Sequence, residues 1–322
     1  MCKPRGKEEC MSKKRGETLG LLAKRVLITV LAAMLLVAFS LAIVACGGEE
    51  GDGDKPEEKG SIHIGWIPWD EDVAVTYLWK NILEAEGYEV ELTQLDVATV
   101  YAGLAANDLD LFFDSWLPVT HEDYWDEYGD EIEDIKIWYD QGSLELTVPV
   151  YMEEFNSISD LQGQEDMFDG QIVGIEPGAG LTRLTREEVM PGYGLDGYTL
   201  LEGSTPTMLA ELDRAYSAEE PIIVTLWHPH WAYAAYDLKD LEDPEGLYGG
   251  AEEIHVLARL GFSEEFDEVA EWLENFEMSD DALASLEKMV IEDYGTGREE
   301  EAVEEWLSDP ANRRLVDGWL GK

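Results

Sequence analysis

Leu109-Asp110-Leu111-Phe112-Phe113-Asp114-Ser115-Trp116-Leu117-Pro118-Val119-Thr120-His121 reads as a short apolar strand, Leu109–Phe113, running straight into a loop that carries tryptophan, proline and histidine. A second stretch, Pro221-Ile222-Ile223-Val224-Thr225-Leu226-Trp227-His228-Pro229-His230-Trp231, repeats the plan. Working outward from the first, residues 61–66 alternate as a strand, and Val73 to Glu86 has helical spacing and stops at Gly87. Tyr88–Leu92 is a strand, and Val97 to Ala106 a helix. Around the second stretch, Gln171–Ile175 is a strand, Glu176–Gly180 a tight turn and Leu181 to Met190 a helix. Tyr198–Leu201 is another strand, and Thr205 to Ala218 is amphipathic. Such alternation predicts an α/β fold of two lobes, each a mostly parallel sheet flanked by helices. Leu144–Val150 and Ile254–Ala258 are the expected crossing strands, which places lobe 1 at 61–147 plus 256–322 and lobe 2 at 148–255. Two lobes on two hinge strands form a cleft that closes by hinge motion. Residues 263–322 read as helical segments.

A third phrase, Gly65-Trp66-Ile67-Pro68-Trp69-Asp70, adds another tryptophan beside a proline. Three indole faces brought together can surround a quaternary ammonium, because the ring quadrupole attracts a weakly hydrated cation. Taken singly, tryptophans are more often core residues; Trp66, Trp79, Trp125 and Trp138 read as structural, and Trp272, Trp306 and Trp319 as ordinary core or surface aromatics. Trp231 is a candidate for the cleft lining. His228-Pro229-His230 lacks a defined third ligand, so no metal is expected, and no cofactor motif is present; Glu176-Pro177-Gly178-Ala179-Gly180 lacks the Gly-Lys-Ser/Thr ending of a phosphate loop. Asp70, Glu71 and Asp72 could act as acids in an exported hydrolase, an alternative that stays open, but no serine elbow or catalytic-cysteine phrase accompanies them.

The N-terminus sets the compartment. Residues 1–45 hold a basic segment and then the apolar run 26–45, ending Ile43-Val44-Ala45-Cys46-Gly47-Gly48. This is the pattern of a bacterial export signal. Small residues directly before Cys46 suggest cleavage there and acylation of its thiol, which would tether the chain to the membrane outside the cytoplasm; a plain spanning anchor is the alternative. Residues 46–60 form an acidic flexible linker. Cys2 and Cys10 lie in the removed segment, so no disulfide is expected. The whole chain has a formal net charge of −49, and without the 8 Lys+Arg and 3 Asp+Glu of residues 1–45 it keeps 14 against 68, or −54. This sign of charge excludes nucleic acid as a partner. Self-repulsion of that size is screened at high salt, so a salt-loving source is expected.

Four phrases together carry a family resemblance: WDEDVAVT at 69–76, DSWLPVTH at 114–121, IVGIEPGAGLTRLT at 172–185, and IIVTLWHPHWAYAAYDLKDLEDP at 222–244. Over about residues 61–320 the chain resembles the substrate-binding proteins of glycine betaine/proline betaine ABC transporters, which have a type II periplasmic-binding fold. The resemblance implies a binding protein rather than an enzyme, one that captures glycine betaine for an ABC permease in osmoprotection. It also implies a box of Trp69, Trp116 and Trp227 around the trimethylammonium. The carboxylate would be held by His121 and by the backbone N–H groups of Gly180 and Leu181. A helix N-terminus suits a carboxylate, and glycines at 178 and 180 would let the backbone approach closely. Choline, carnitine and proline betaine remain alternative ligands.

Overall fold

Ser61-Ile62-His63-Ile64 becomes strand β1 (Ser61–Trp66), with both isoleucines fully buried. A computed structural model describes residues 59–322; the export signal, Cys46 and the linker up to residue 58 lie outside the described residues. Helix α1 (Asp70–Ala85) follows β1. It starts three residues earlier than its apolar spacing predicts, because Asp70, Glu71 and Asp72 form its first turn, where the helix dipole favours negative charge. Next come β2 (Glu89–Gln94), α2 (Val97–Ala105), β3 (Leu111–Leu117), α3 (Glu122–Tyr128) and the 18-residue strand β4 (Ile132–Pro149). The remaining strands are β5 (Gln171–Val173), β6 (Thr199–Leu201), β7 (Val224–His228), β8 (Leu238–Asp240) and β9 (Glu252–Arg259). Helix α4 (Gly180–Leu184) follows β5 and passes into a wider π-type turn over Thr185–Val189. Helix α5 (Thr205–Ala218) follows β6, capped by the Ser204 hydroxyl on the Thr207 N–H.

The strand order is β2-β1-β3-β9-β4-β7-β5-β6, with β8 also on β4. Strands β1, β2 and β3 pair in parallel, as do β5, β6 and β7; β9 and β4 run antiparallel between these groups. β4 changes partner along its length. Ile132 to Gly142 pair with β9, and Ser143 to Thr147 pair with β7. Gly142 sits at the change of partner, and a Cβ there would meet the Trp116 ring at 2.8 Å and the Glu252 carbonyl oxygen at 3.0 Å.

Trp116 and Trp227 are strand residues rather than the loop residues expected from sequence. Trp116 pairs with Ile254 of β9, and Trp227 with Leu144 of β4. Partners more than 80 positions away in the chain extend both strands, and local apolar patterning does not register them. On the far side of the β1–β3 group, Trp79 stacks on Phe113 and Trp319, and Trp138 stacks on Phe276. These tryptophans, with Trp306, are core, as their sequence setting suggests. Among the described residues, no helix is long and apolar enough to cross a membrane.

Candidate functional site

Three separate segments deliver one indole each to the same place. Trp69 is the residue immediately before α1, Trp116 is the next-to-last residue of β3, and Trp227 the next-to-last of β7. Together with Glu71, Thr120, Leu144, Ile175 and Leu181 they enclose a cavity with about 10 Å³ open to the centre of a water-sized sphere. The Trp69 and Trp227 rings lie 6.2 Å apart at 49°. All three side chains are at least nine-tenths buried, so the ring faces are dry. Trp69 also lines a wider, open recess of about 500 Å³, with Gln94, Asp96 and the Glu176–Ala179 turn on its other sides.

His121 stands beside this cavity, stacked on Trp69 at 5.6 Å and 28°. The Trp116 N–H donates to His121 Nδ1 at 3.0 Å, and the His121 N–H donates back to the Trp116 carbonyl at 2.9 Å. An Nδ1 that accepts leaves the neutral ring's proton on Nε2. Burial, with the Arg183 charge adding to it, pushes the His121 pKa down to about 3, so the ring is neutral. Its Nε2 is buried and has no hydrogen-bond partner among the described residues. A lone buried N–H donor of this kind costs free energy until an acceptor meets it.

Gly180 begins α4, and Leu181 follows it into the cavity wall. The first N–H groups of a helix have no partner inside it. A Cβ on Gly180 would fall onto the Thr120 carbonyl oxygen, so glycine is required there by close approach. Around Gly178 the space is open, with no protein atom within 4 Å of a Cβ placed on it. The turn meets the 117–121 loop through further contacts. Tyr124 Oη donates to the Gly178 carbonyl at 3.1 Å, Arg183 Nη2 donates to the Val119 carbonyl at 3.2 Å, and Arg183 Nε lies 3.3 Å from Asp123. Glu252, at the start of β9, accepts the Thr120 N–H at 3.2 Å and fixes that loop from below.

The sequence offered Asp70, Glu71 and Asp72 only as acids of a hydrolase and gave Asp114 no role. Asp70, Glu71, Asp72 and Asp114 are all buried, and each accepts a specific hydrogen bond. Glu71 Oε2 accepts Trp227 Nε1 at 3.0 Å, Asp70 accepts Trp231 Nε1, and Asp72 accepts the Ile67 N–H at 2.7 Å and the Thr76 hydroxyl at 3.0 Å. Burial raises Asp70 to about 6 and Asp72 to about 7. Each of the four lies within three residues of an indole in its own phrase, but in a chain with 71 Asp+Glu that spacing does not single them out. Trp231 packs against His230 and Tyr236 and does not line the cavity. His228 pairs with Asp240 at 2.8 Å while His230 turns to Asp70, so the two histidines of the phrase have different partners.

Residues 60–309 match the substrate binding domain of ABC-type glycine betaine transport systems. The glycine betaine/carnitine transport binding protein GbuC of Listeria monocytogenes is 34% identical over 151 residues, 46% of this chain and 49% of that protein. The chain thus spans about half the length of that curated relative. The glycine betaine/L-proline-binding protein ProX of Borrelia burgdorferi superposes with a TM-score of 0.74 at 32% identity, covering 80% of this chain and 96% of that one. Lactococcal OpuAC, solved in its closed conformation with glycine betaine, gives 0.74 at 29% identity over 81% and 99%. A choline binding protein of an ABC transporter, in complex with choline, gives 0.74 at 28% over 83% and 93%.

Proposed function

The chain belongs to the family of substrate-binding domains of ABC-type glycine betaine transport systems, and from that premise we propose that it is an extracytoplasmic receptor that holds glycine betaine between Trp69, Trp116 and Trp227 and hands it to an ABC permease. The observation that carries this is the convergence of three indoles from three segments on one cavity, with the unpaired Nε2–H of His121 beside it. Cation–π contact contributes roughly 2 kcal/mol per desolvated ring. A hydrogen bond to the charged carboxylate contributes about 1.5–3 kcal/mol. Three rings and two or three such bonds exceed the roughly 8 kcal/mol of a micromolar complex before binding costs are subtracted.

Glycine betaine is favoured over choline because His121 Nε2 and the N–H groups of Gly180 and Leu181 offer more donors than choline's single hydroxyl can take up. The ligand enters with the loops apart. Closure about the β4 partner change at Gly142–Ser143 and the segment before β9 brings Trp69 to Glu176, Trp227 to Glu71 and Arg183 to Val119. The permease then reads the closed form. Cys46 carries the lipid that tethers the receptor, and the excess negative charge suits a salt-rich exterior.

The test is calorimetric titration of the full chain with glycine betaine, carnitine and choline in high salt. Saturable betaine binding, with choline weaker by about tenfold or more, is expected from one to two donors left unpaired. A folded protein that binds no quaternary amine contradicts the proposal.

A further inference from the structure

Each indole that lines the cavity gives its N–H to a carboxylate. Trp227 Nε1 donates to Glu71 Oε2 at 3.0 Å, Trp116 Nε1 to Asp114 Oδ1 at 2.9 Å, and Trp69 Nε1 to Glu176 Oε2 at 3.4 Å. The three acids come from α1, β3 and the turn after β5, so the pattern is not one local motif repeated. Glu71 and Asp114 are fully buried, and Glu71 Oε1 and Asp114 Oδ2 have no partner among the described residues. Glu176 is held in turn by the N–H and hydroxyl of Thr205 at the start of α5.

We propose that Glu71, Asp114 and Glu176 make the site select a cationic headgroup over an uncharged one of the same shape, by fixing the plane of each indole and placing negative charge at its N–H edge, which makes the ring face more attractive to a cation. This inference rests on the receptor function proposed above.

An indole N–H bonded to a carboxylate has its ring edge polarised, and bonds in a dry site strengthen one another. Opposite charges also attract from the edge of a ring to a cation on its face when little water screens them. Asp114 and Glu176 do not line the cavity, so a small ion entering it finds their field but not their oxygens; Glu71 does line it, with Oε2 taken by Trp227 Nε1. Sodium, which needs several oxygen ligands to replace its water, finds too few there, whereas a quaternary ammonium needs none. Burial raises the carboxyls of Glu71 and Asp114, and a cation between the rings acts in the opposite direction. Binding of a cation should therefore release protons from this region, where Asp70, Asp72, Glu287, His121, His230 and Arg183 are the other ionisable neighbours.

The experiment compares glycine betaine with tert-butylacetate, which keeps the shape and the carboxylate but replaces the ammonium nitrogen by carbon. Both are titrated into the full chain and into Glu71→Gln, Asp114→Asn and Glu176→Gln, in two buffers of different ionisation enthalpy. Expected is a loss of betaine affinity of about tenfold or more in Glu71→Gln, with tert-butylacetate changed by less than about threefold. Wild-type protein should release protons with betaine only. Equal losses for both ligands, as a merely structural role gives, or undiminished betaine binding in all three variants, overturns the inference. Glu176→Gln, at the least buried of the three positions, keeps the test valid if Glu71→Gln does not fold. Wild-type protein that binds neither ligand refutes the receptor function itself, before any variant is made.

Discussion

The loop after β3 and the loop after β7 are built alike and used differently. Each strand has tryptophan as its next-to-last residue, each is followed by a cis X-Pro bond (Leu117-Pro118, His228-Pro229), and each loop carries a buried histidine. His121 Nδ1 accepts the Trp116 N–H and His230 Nδ1 accepts the Ala232 N–H, both at 3.0 Å. Burial pushes both pKa values down to about 3, so both rings are neutral with the proton on Nε2. There the likeness ends. His121 stacks on Trp69, beside the cavity. His230 packs edge-on against Trp227 at 4.7 Å, its Nε2 lying 3.3 Å from Asp70 but too poorly directed for a hydrogen bond. One loop leaves its spare donor beside the cavity. The other turns inward and, through Trp227, Trp231 and His230, clasps the first turn of α1. In the proposed receptor the same local device would serve recognition in one half of the sheet and closure in the other.

Several substitutions break or sharpen this contrast. The largest effect should come from Trp116→Ala. Losing one desolvated ring, roughly 2 kcal/mol, weakens glycine betaine by about thirtyfold. Circular dichroism should show the fold intact, and unchanged affinity would remove Trp116 from the site. The two histidines should then separate. His121→Ala narrows the gap between betaine and choline by about tenfold, the worth of one charged hydrogen bond. His230→Ala weakens both ligands alike and lowers Tm. Identical behaviour of the two variants would erase the functional difference between the loops. Gly142→Ala should come next, with a loss of betaine affinity of about threefold to tenfold, because the new methyl displaces the Trp116 ring. Tryptophan fluorescence of the unliganded variant should shift with it.

The smallest effect is in pH. Burial raises Asp70 from its ordinary 3.8 to about 6. The folded chain therefore keeps a proton that the unfolded chain loses, and the stability this proton gives is complete below about 3.8 and lost as pH rises through about 6. Asp70→Asn should flatten the fall in Tm between those values. A fall as steep as in the wild type would mean that Asp70 is not desolvated by Trp231 and its neighbours.

Much of the architecture was legible in the sequence because it is locally encoded. Alternating apolar residues marked β1, helical spacing marked α1, α2 and α5, and the tryptophan phrases marked where three segments meet. The rest depends on distant partners. The full length of β4, the strand character of Trp116 and Trp227, and the change of pairing at Gly142 need β9 and β7 to be in place. The acids of WDED, DSW and EPG were unreadable for a different reason. In a chain with 71 Asp+Glu, their composition carries no information, and only their hydrogen bonds to Ile67, Trp227, Trp231, Trp116 and Trp69 set them apart. Gly180 was identified for its approach to a ligand, yet its first constraint is the Thr120 carbonyl.

The central claim is that the three indoles surround a cation whose carboxylate reaches His121. A crystal structure with glycine betaine tests it most directly. The account predicts the quaternary nitrogen within about 6 Å of all three ring centroids. It also places the ligand's carboxylate within about 3 Å of His121 Nε2 and of the Gly180 and Leu181 nitrogens. Betaine lodged instead in the outer recess between Gln94 and Glu176, with the indoles still closed on one another, would contradict it.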